Sequence, residues 1–251
     1  QGARRNAGAL RRVVAGRARI LSKPRYAVYY APATESALWR FGCSVLGYDA
    51  LTGEDIPFAV PPGCDRATWP ALTEEPRRYG FHATLKAPFE LADGRSEEQL
   101  RAFARNYAAG LEGVALAGLS VTALGSFIAL TPSEPSDALQ RLAFALVQAF
   151  EPFRAPLAQA DRARRLKSPL TPAQHAYLEA YGYPYVGDAF RFHMTLTGAL
   201  PADRMAGVRQ GLETAYAEAF PAGPVGLDRF ALFKQEGRAG RFRLLDSYPF
   251  G

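Results

Sequence analysis

One five-residue frame occurs twice in this chain and constrains what the chain can build. Residues 80–89 read GFHATLKAPF and residues 190–200 read FRFHMTLTGAL, so Phe-His-x-Thr-Leu recurs 111 positions apart. The chain has three histidines, and two of them, His82 and His193, sit in this frame. A β-strand sends alternate side chains to opposite faces, and residues two apart stand roughly 6.6 Å from each other on one face. The spacing therefore predicts that His82, Thr84 and Lys86 project together, with Phe81, Ala83 and Leu85 behind them. In the second copy Arg191, His193, Thr195 and Thr197 share the polar face, backed by Phe190, Phe192, Met194 and Leu196. Each copy reads as a half-buried strand with an imidazole and a hydroxyl on its free face.

A single histidine on a strand is more often an ordinary polar residue on a solvated face. The duplication reverses that preference. Two histidines carried by a repeated strand can face each other across a pseudo-two-fold cleft, one accepting a proton while the other donates, as displacement at phosphorus requires. Either histidine can be the base. The Thr84 and Thr195 hydroxyls can donate to non-bridging phosphate oxygens. Lys86 and Arg191 are the nearest cations on the same faces, where they would offset developing negative charge. Thr197 occupies the position in the second copy that Lys86 holds in the first, so it joins the phosphate-binding set. Tyr183 and Tyr185, just before the second copy, are candidate substrate contacts that stack on a base or ribose; their alternative is to pack the loop. His175 falls in a predicted helix with no partner nearby and reads as a surface or capping residue. No metal or cofactor is expected, since catalytic zinc usually takes three protein ligands and neither polar face carries a carboxylate.

The two His-x-Thr strands resemble the two-histidine (2H) phosphoesterase superfamily, which includes 2′-5′ RNA ligase-like proteins and cyclic nucleotide phosphodiesterases. The wider wording, RYGFHATLKAPF at residues 78–89 and GYPYVGDAFRFHMTLTG at residues 182–198, resembles the branch encoded beside bacterial phosphonate-degradation genes. The resemblance runs from about Arg25 to the C-terminus. It implies an α+β fold of two antiparallel sheets, each backed by helices, around a central cleft. It also implies metal-independent cleavage of a cyclic phosphodiester by two histidines. For this branch the implied substrate is a ribose or nucleotide cyclic phosphate, because phosphonate breakdown through a carbon–phosphorus lyase generates a ribose cyclic phosphate. Two alternatives stand beside it: RNA-end processing, and non-catalytic binding of a nucleotide or sugar phosphate.

Charge bears on the choice of partner. The formal net charge is +6, but eight of the 30 basic residues and no acid lie within residues 1–25, leaving 22 basic against 24 acidic residues in the body. A nearly neutral body suits a small phosphorylated substrate and ranks RNA second, since tracking a phosphate backbone needs a basic face. The basic segment, residues 1–24, lacks the apolar centre of a secretion signal and reads as a non-catalytic extension. No apolar run approaches the roughly 18 residues of a membrane span. Two isolated cysteines, Cys43 and Cys64, fit a reducing cytoplasm. The sequence fixes no oligomeric state.

Residues 25–251 read as one bilobal domain with motif units at about 78–132 and 182–250. Tyr26 opens a strand, Ser36 precedes a short helix, and Ser96 caps another that runs to about Ala109. Residues 137–150 carry the clearest amphipathic pattern. Thr171 and Pro172 start a helix that ends at Tyr181. Each unit reads as motif strand, helix, strand, strand.

Overall fold

The chain enters its sheet on β1 (Arg25–Tyr30), whose tyrosines and valine suit a pleated, packed surface. The computed structural model describes residues 23–220 and 223–251; residues 1–22, most of the expected extension, lie outside the described residues. Ser36 caps α1 (Ala37–Leu46) by accepting the Trp39 N–H. A small hairpin of β2 (Tyr48–Asp49) and β3 (Glu54–Asp55) follows. The short helices α2 (Trp69–Leu72) and α3 (Glu74–Arg77) then deliver the chain to β4 (Ala83–Glu90), the first motif strand. Ser96 and Gln99 form a capping box at the start of α4 (Glu97–Ala108).

Next come β5 (Val114–Leu116), β6 (Leu119–Leu124) and β7 (Phe127–Pro132). In α5 (Asp137–Ala149), Leu139, Leu142, Ala143 and Leu146 are buried at the spacing that marks an apolar helical stripe. Residues 162–167, which carry Arg162, Arg164, Arg165 and Lys167, begin within a further helix, α6 (Gln159–Arg165). Thr171 and Pro172 start α7 (Pro172–Tyr181) as expected. The second motif contributes β8 (Met194–Thr195), followed by α8 (Ala202–Ala219), β9 (Val225–Leu227), β10 (Arg229–Gln235) and β11 (Arg243–Pro249).

The architecture is α+β. Seven strands form an antiparallel sheet in the order β11-β10-β1-β4-β8-β7-β6, and two small two-stranded sheets, β2-β3 and β5-β9, lie apart from it. The expectation of two separate main sheets is corrected here, because the motif strands β4 and β8 pair through Ala83 and Met194 and so join both sides. The chain's units also exchange strands. β6 and β7 of the first unit extend the sheet beyond β8, whereas β10 and β11 of the second attach through β1 to β4. Neither unit closes its own sheet, so the seam between the two motif strands lies at the centre.

Helices cover this sheet: α5 packs on β4, α4 on β10 and β11, and α8 on β6 and β7. Aromatic rings join them, with Phe150 edge-on to Phe230 at 5.5 Å and to Phe103 at 5.1 Å. Burying one such side chain contributes roughly 1.5–3 kcal/mol, so this packing fixes the seam firmly. No helix among the described residues is long and apolar enough to cross a membrane.

Candidate active site

Both copies of the motif use the same local device. In each, the histidine Nδ1–H donates to the backbone carbonyl two residues earlier: His82 to Gly80 at 2.9 Å and His193 to Arg191 at 2.7 Å. A carbonyl can only accept, so this bond fixes the Nδ1–H tautomer in a neutral ring and leaves Nε2 for the cleft. Gly80 holds a left-handed φ of 75°, and a Cβ there would meet the Ala50 Cβ at 2.7 Å. At the preceding helix, Gly42 of α1 lies so close to Phe81 that a Cβ would stand 2.0 Å from its ring. Helix α1 thus seats Phe81, and Phe81 seats the histidine that follows.

The Ala83–Met194 pair sets the geometry across the seam. Carried one residue either way, this antiparallel register puts His82 opposite Thr195 and Thr84 opposite His193. The two histidines are then diagonal neighbours, at a spacing of roughly 7–8 Å between strand positions. A cleft of about 430 Å³ opens over them, lined by His82, Thr84, His193 and Thr195. The Thr84 hydroxyl lies 3.2 Å from His82 Nε2 and can donate to it. Burial pushes the His82 imidazole down to about 4; the Gly80 carbonyl works against that shift and His193 adds a little to it. His82 is therefore neutral at ordinary pH.

The other expected site residues divide. Lys86 does not share the cleft face with Thr84. The β1–β4 register slips between Val28 and Tyr29, where Val28 pairs with Lys86 but Tyr29 with Thr84, and this bulge ends the two-residue alternation. Ala87 takes the next place on the cleft wall. Lys86 turns into the core at 3% exposure, where its Nζ donates to the Val147 carbonyl at 2.9 Å and to Glu151 Oε2 at 2.7 Å. Thr197 meets a similar break, because the Ile128 carbonyl accepts from both Leu196 and Thr197 N–H groups. Its side chain reaches the cleft floor, but its hydroxyl accepts the Ile128 N–H at 3.0 Å. Alternation holds from the histidine to the threonine in each copy; two residues later it fails at Lys86, whereas Thr197 still lines the cleft with its hydroxyl engaged by the backbone.

Arg191 is exposed and contributes its carbonyl to His193, while its side chain borders a neighbouring hollow of about 460 Å³. Tyr185, 41% exposed, borders that same hollow, whereas Tyr183 lies between the two and lines both. His193 and Thr84 also line both.

Sequence reasoning missed several groups in the cleft, among them Arg25, Tyr29, Tyr79, Arg164 and Arg165. Arg25 donates from Nε to Gln235 Oε1 at 2.9 Å. Arg165 lies over the Tyr183 ring at 4.8 Å, and its Nε is buried without a hydrogen-bond partner among the described residues. A buried guanidinium N–H without a partner is costly and suits an incoming anion. Glu75 is the single carboxylate among the residues lining this cleft, against Arg25, Arg164 and Arg165. The run of Arg and Lys at residues 162–167 was the available signal for this charge.

Fold and site together define an α+β protein in which a repeated His-x-Thr strand pair floors a cation-lined cleft. Residues 84–243 match a family described as a protein of unknown function (DUF1045), and the chain belongs to that family. The match contains Thr84, His193 and Thr195 and begins two residues after His82. The chain is 37% identical over 232 residues to a protein of Janthinobacterium sp. (strain Marseille) named ribose 1,5-bisphosphate phosphokinase PhnN, covering 91% of this chain and 51% of that one. A protein of the same name from Laribacter hongkongensis (strain HLHK9) is 36% identical over 176 residues, covering 70% of this chain and 40% of its own length. The chain thus spans about half the length, or less, of these curated relatives. Among solved structures, Kluyveromyces marxianus Usb1 aligns with 90% of this chain and 98% of its own, at 14% identity and a TM-score of 0.36.

Proposed function

We propose that the protein hydrolyses a small cyclic phosphodiester, a ribose or nucleotide cyclic phosphate, by metal-independent acid–base catalysis with His82 and His193. This is the chemistry of the two-histidine phosphoesterases that its motifs resemble. The observation that carries the reading is a single cleft lined by both imidazoles and both threonine hydroxyls. His82, neutral with Nε2 free of a proton, takes a proton from water as its oxygen attacks phosphorus. The bond from phosphorus to one ring oxygen breaks, and His193, which starts this step as the imidazolium with Nδ1–H still on the Arg191 carbonyl, gives its Nε2 proton to that oxygen. Thr84 and Thr195 donate to the non-bridging oxygens, whose negative charge develops in the transition state. The product is a phosphate monoester that keeps the released hydroxyl on the same sugar.

Arg25 and Arg165 favour a substrate with a second anionic group. The relatives' name fits this reading, because ribose 1,5-bisphosphate is a ribose bearing two phosphates. The phosphokinase activity in that name we assign to the length of the relatives that this chain does not span. No Gly-x-x-x-x-Gly-Lys-Ser/Thr phosphate loop occurs in these 251 residues. Phosphonate catabolism is the setting that the branch resemblance and the relatives' names favour.

The test is a panel of ribose 1,2-cyclic phosphate with and without a 5-phosphate, nucleoside 2′,3′-cyclic phosphates and 2′-5′ linked dinucleotides, followed by phosphorus NMR in a strong chelator. Conversion of a cyclic ester to a monoester supports the reading. Absence of turnover across the panel sinks it, and turnover of the dinucleotides alone would favour the RNA-end alternative.

A further inference from the structure

The two motif copies are alike in sequence and in their Nδ1–carbonyl bonds, yet proton transfer needs them to differ, and the ring packing supplies the difference. Tyr29 lies flat against His82, with ring centroids 3.7 Å apart and planes 24° from parallel. Every other ring pair recorded among the described residues is 5.1 Å apart or more. Among the described residues His193 has no comparable cover: its ring neighbour is Phe127, at 5.8 Å and 56°.

We propose that Tyr29 is a positioning residue that breaks the symmetry of the repeat, holding the His82 ring neutral with Nε2 towards the cleft and thereby making His82, not His193, the proton acceptor. This inference rests on the proposed function. Strand pairing puts Tyr29 opposite Thr84, so its side chain emerges on the face of β4 that carries His82. The tyrosine is 1% exposed and is wedged by Phe233 at 5.1 Å and Phe242 at 6.1 Å. With its ring fixed, one whole face of the imidazole is closed to water.

The remaining surroundings supply little compensation for a charge. From the segment before β4 come the Gly80 carbonyl and the Tyr79 ring at 6.2 Å; from β10 comes Phe233, which carries no charge; from the residue before β8 comes His193, a like charge when protonated. The Thr84 hydroxyl meets Nε2 at 3.2 Å, and among the described residues no carboxylate hydrogen-bonds to the ring. A protonated ring beneath Tyr29 would gain a cation–π attraction of about 2 kcal/mol at such a desolvated site, equivalent to about 1.5 pH units. Loss of hydration outweighs it, in line with the depression of His82 to about 4.

The test measures the His82 imidazole directly by NMR titration in wild type, Tyr29→Phe, Tyr29→Thr and Tyr29→Met, alongside the acid limb of kcat/KM. Phenylalanine keeps the stack and should leave the midpoint in place. Threonine suits a strand and admits water, and should raise the midpoint by about one unit or more towards its ordinary 6.5. Methionine fills more of the space and serves if the threonine variant does not fold, with a rise expected in the same direction. An unmoved midpoint in these variants overturns the inference. A midpoint that moves without the acid limb following upholds the role of Tyr29 and instead removes His82 as the proton acceptor.

Discussion

Lys86 separates what alternation along a strand predicts from what the folded chain does. Its ammonium is 3% exposed and is held by Glu151 and the Val147 carbonyl. Removing one partner of a buried ion pair costs roughly 3–5 kcal/mol, because the other charge stays buried and unpaired. Glu151 is 25% exposed, so water can reach that end, and for Glu151→Ala the cost falls below that range, to roughly 2–3 kcal/mol. Lys86→Met removes the charge itself and preserves the volume, and Glu151 keeps its contact with Arg154 at 2.6 Å. That change should cost less than about 1.5 kcal/mol. At roughly 2–4 °C per kcal/mol for a domain of this size, Glu151→Ala lowers Tm by roughly 4–12 °C and Lys86→Met by less than about 6 °C. The assay is thermal unfolding of each variant beside steady-state turnover. Because Lys86 faces the core, kcat of Lys86→Met should stay within about threefold of wild type, under ~1 kcal/mol in barrier height. A well-folded Lys86→Met with a hundredfold loss in kcat would refute this placement and return Lys86 to the phosphate.

Three further outcomes follow from the same structure. The depressed His82 pKa makes the unfolded chain bind a proton that the folded chain refuses, so stability is intact above pH 6.5 and falls as pH drops towards about 4. The loss amounts to roughly 3 kcal/mol, and urea unfolding should show it shrinking in His82→Gln relative to wild type. Gly42→Ala drives a Cβ into the Phe81 ring and should cost at least roughly 1–3 kcal/mol, with loss of activity, measured by the urea midpoint and kcat. Arg165→Met should raise KM at least tenfold, about 1.4 kcal/mol, for a cyclic phosphate that carries a second phosphate and leave KM unchanged for one that lacks it. Equal effects on both substrates would remove Arg165 from the second-anion site.

Much of the fold was legible because its signals are local. Ser96 with Gln99, Thr171 with Pro172, and the stripe from Leu139 to Leu146 act within a few residues of one another, and each element formed where expected. The threonine after each histidine was legible because alternation survives over two residues. At Lys86 it fails, since a bulge depends on the partner strand and leaves no mark in the sequence; Thr197 stays in the cleft lining, but its hydroxyl is taken up by the Ile128 N–H. Tyr29 was hidden for another reason: residues on both faces of β1 are buried, so alternation there carries no polar signal to mark the cleft side. Arg25 and Arg165 belonged to basic runs whose destination only the tertiary packing decides. The joined sheet was equally invisible, because it rests on one residue pair between segments 111 positions apart.

The most direct measurement is single-turnover hydrolysis of a ribose cyclic phosphate by wild type, His82→Ala and His193→Ala in a strong chelator, with folding checked for each. If the two imidazoles share one reaction, each substitution lowers the rate by roughly 10²–10⁴-fold with little change in substrate affinity. The double variant then falls little below the worse single one, since the two groups act as a unit. Wild-type rates in either single variant would contradict the account.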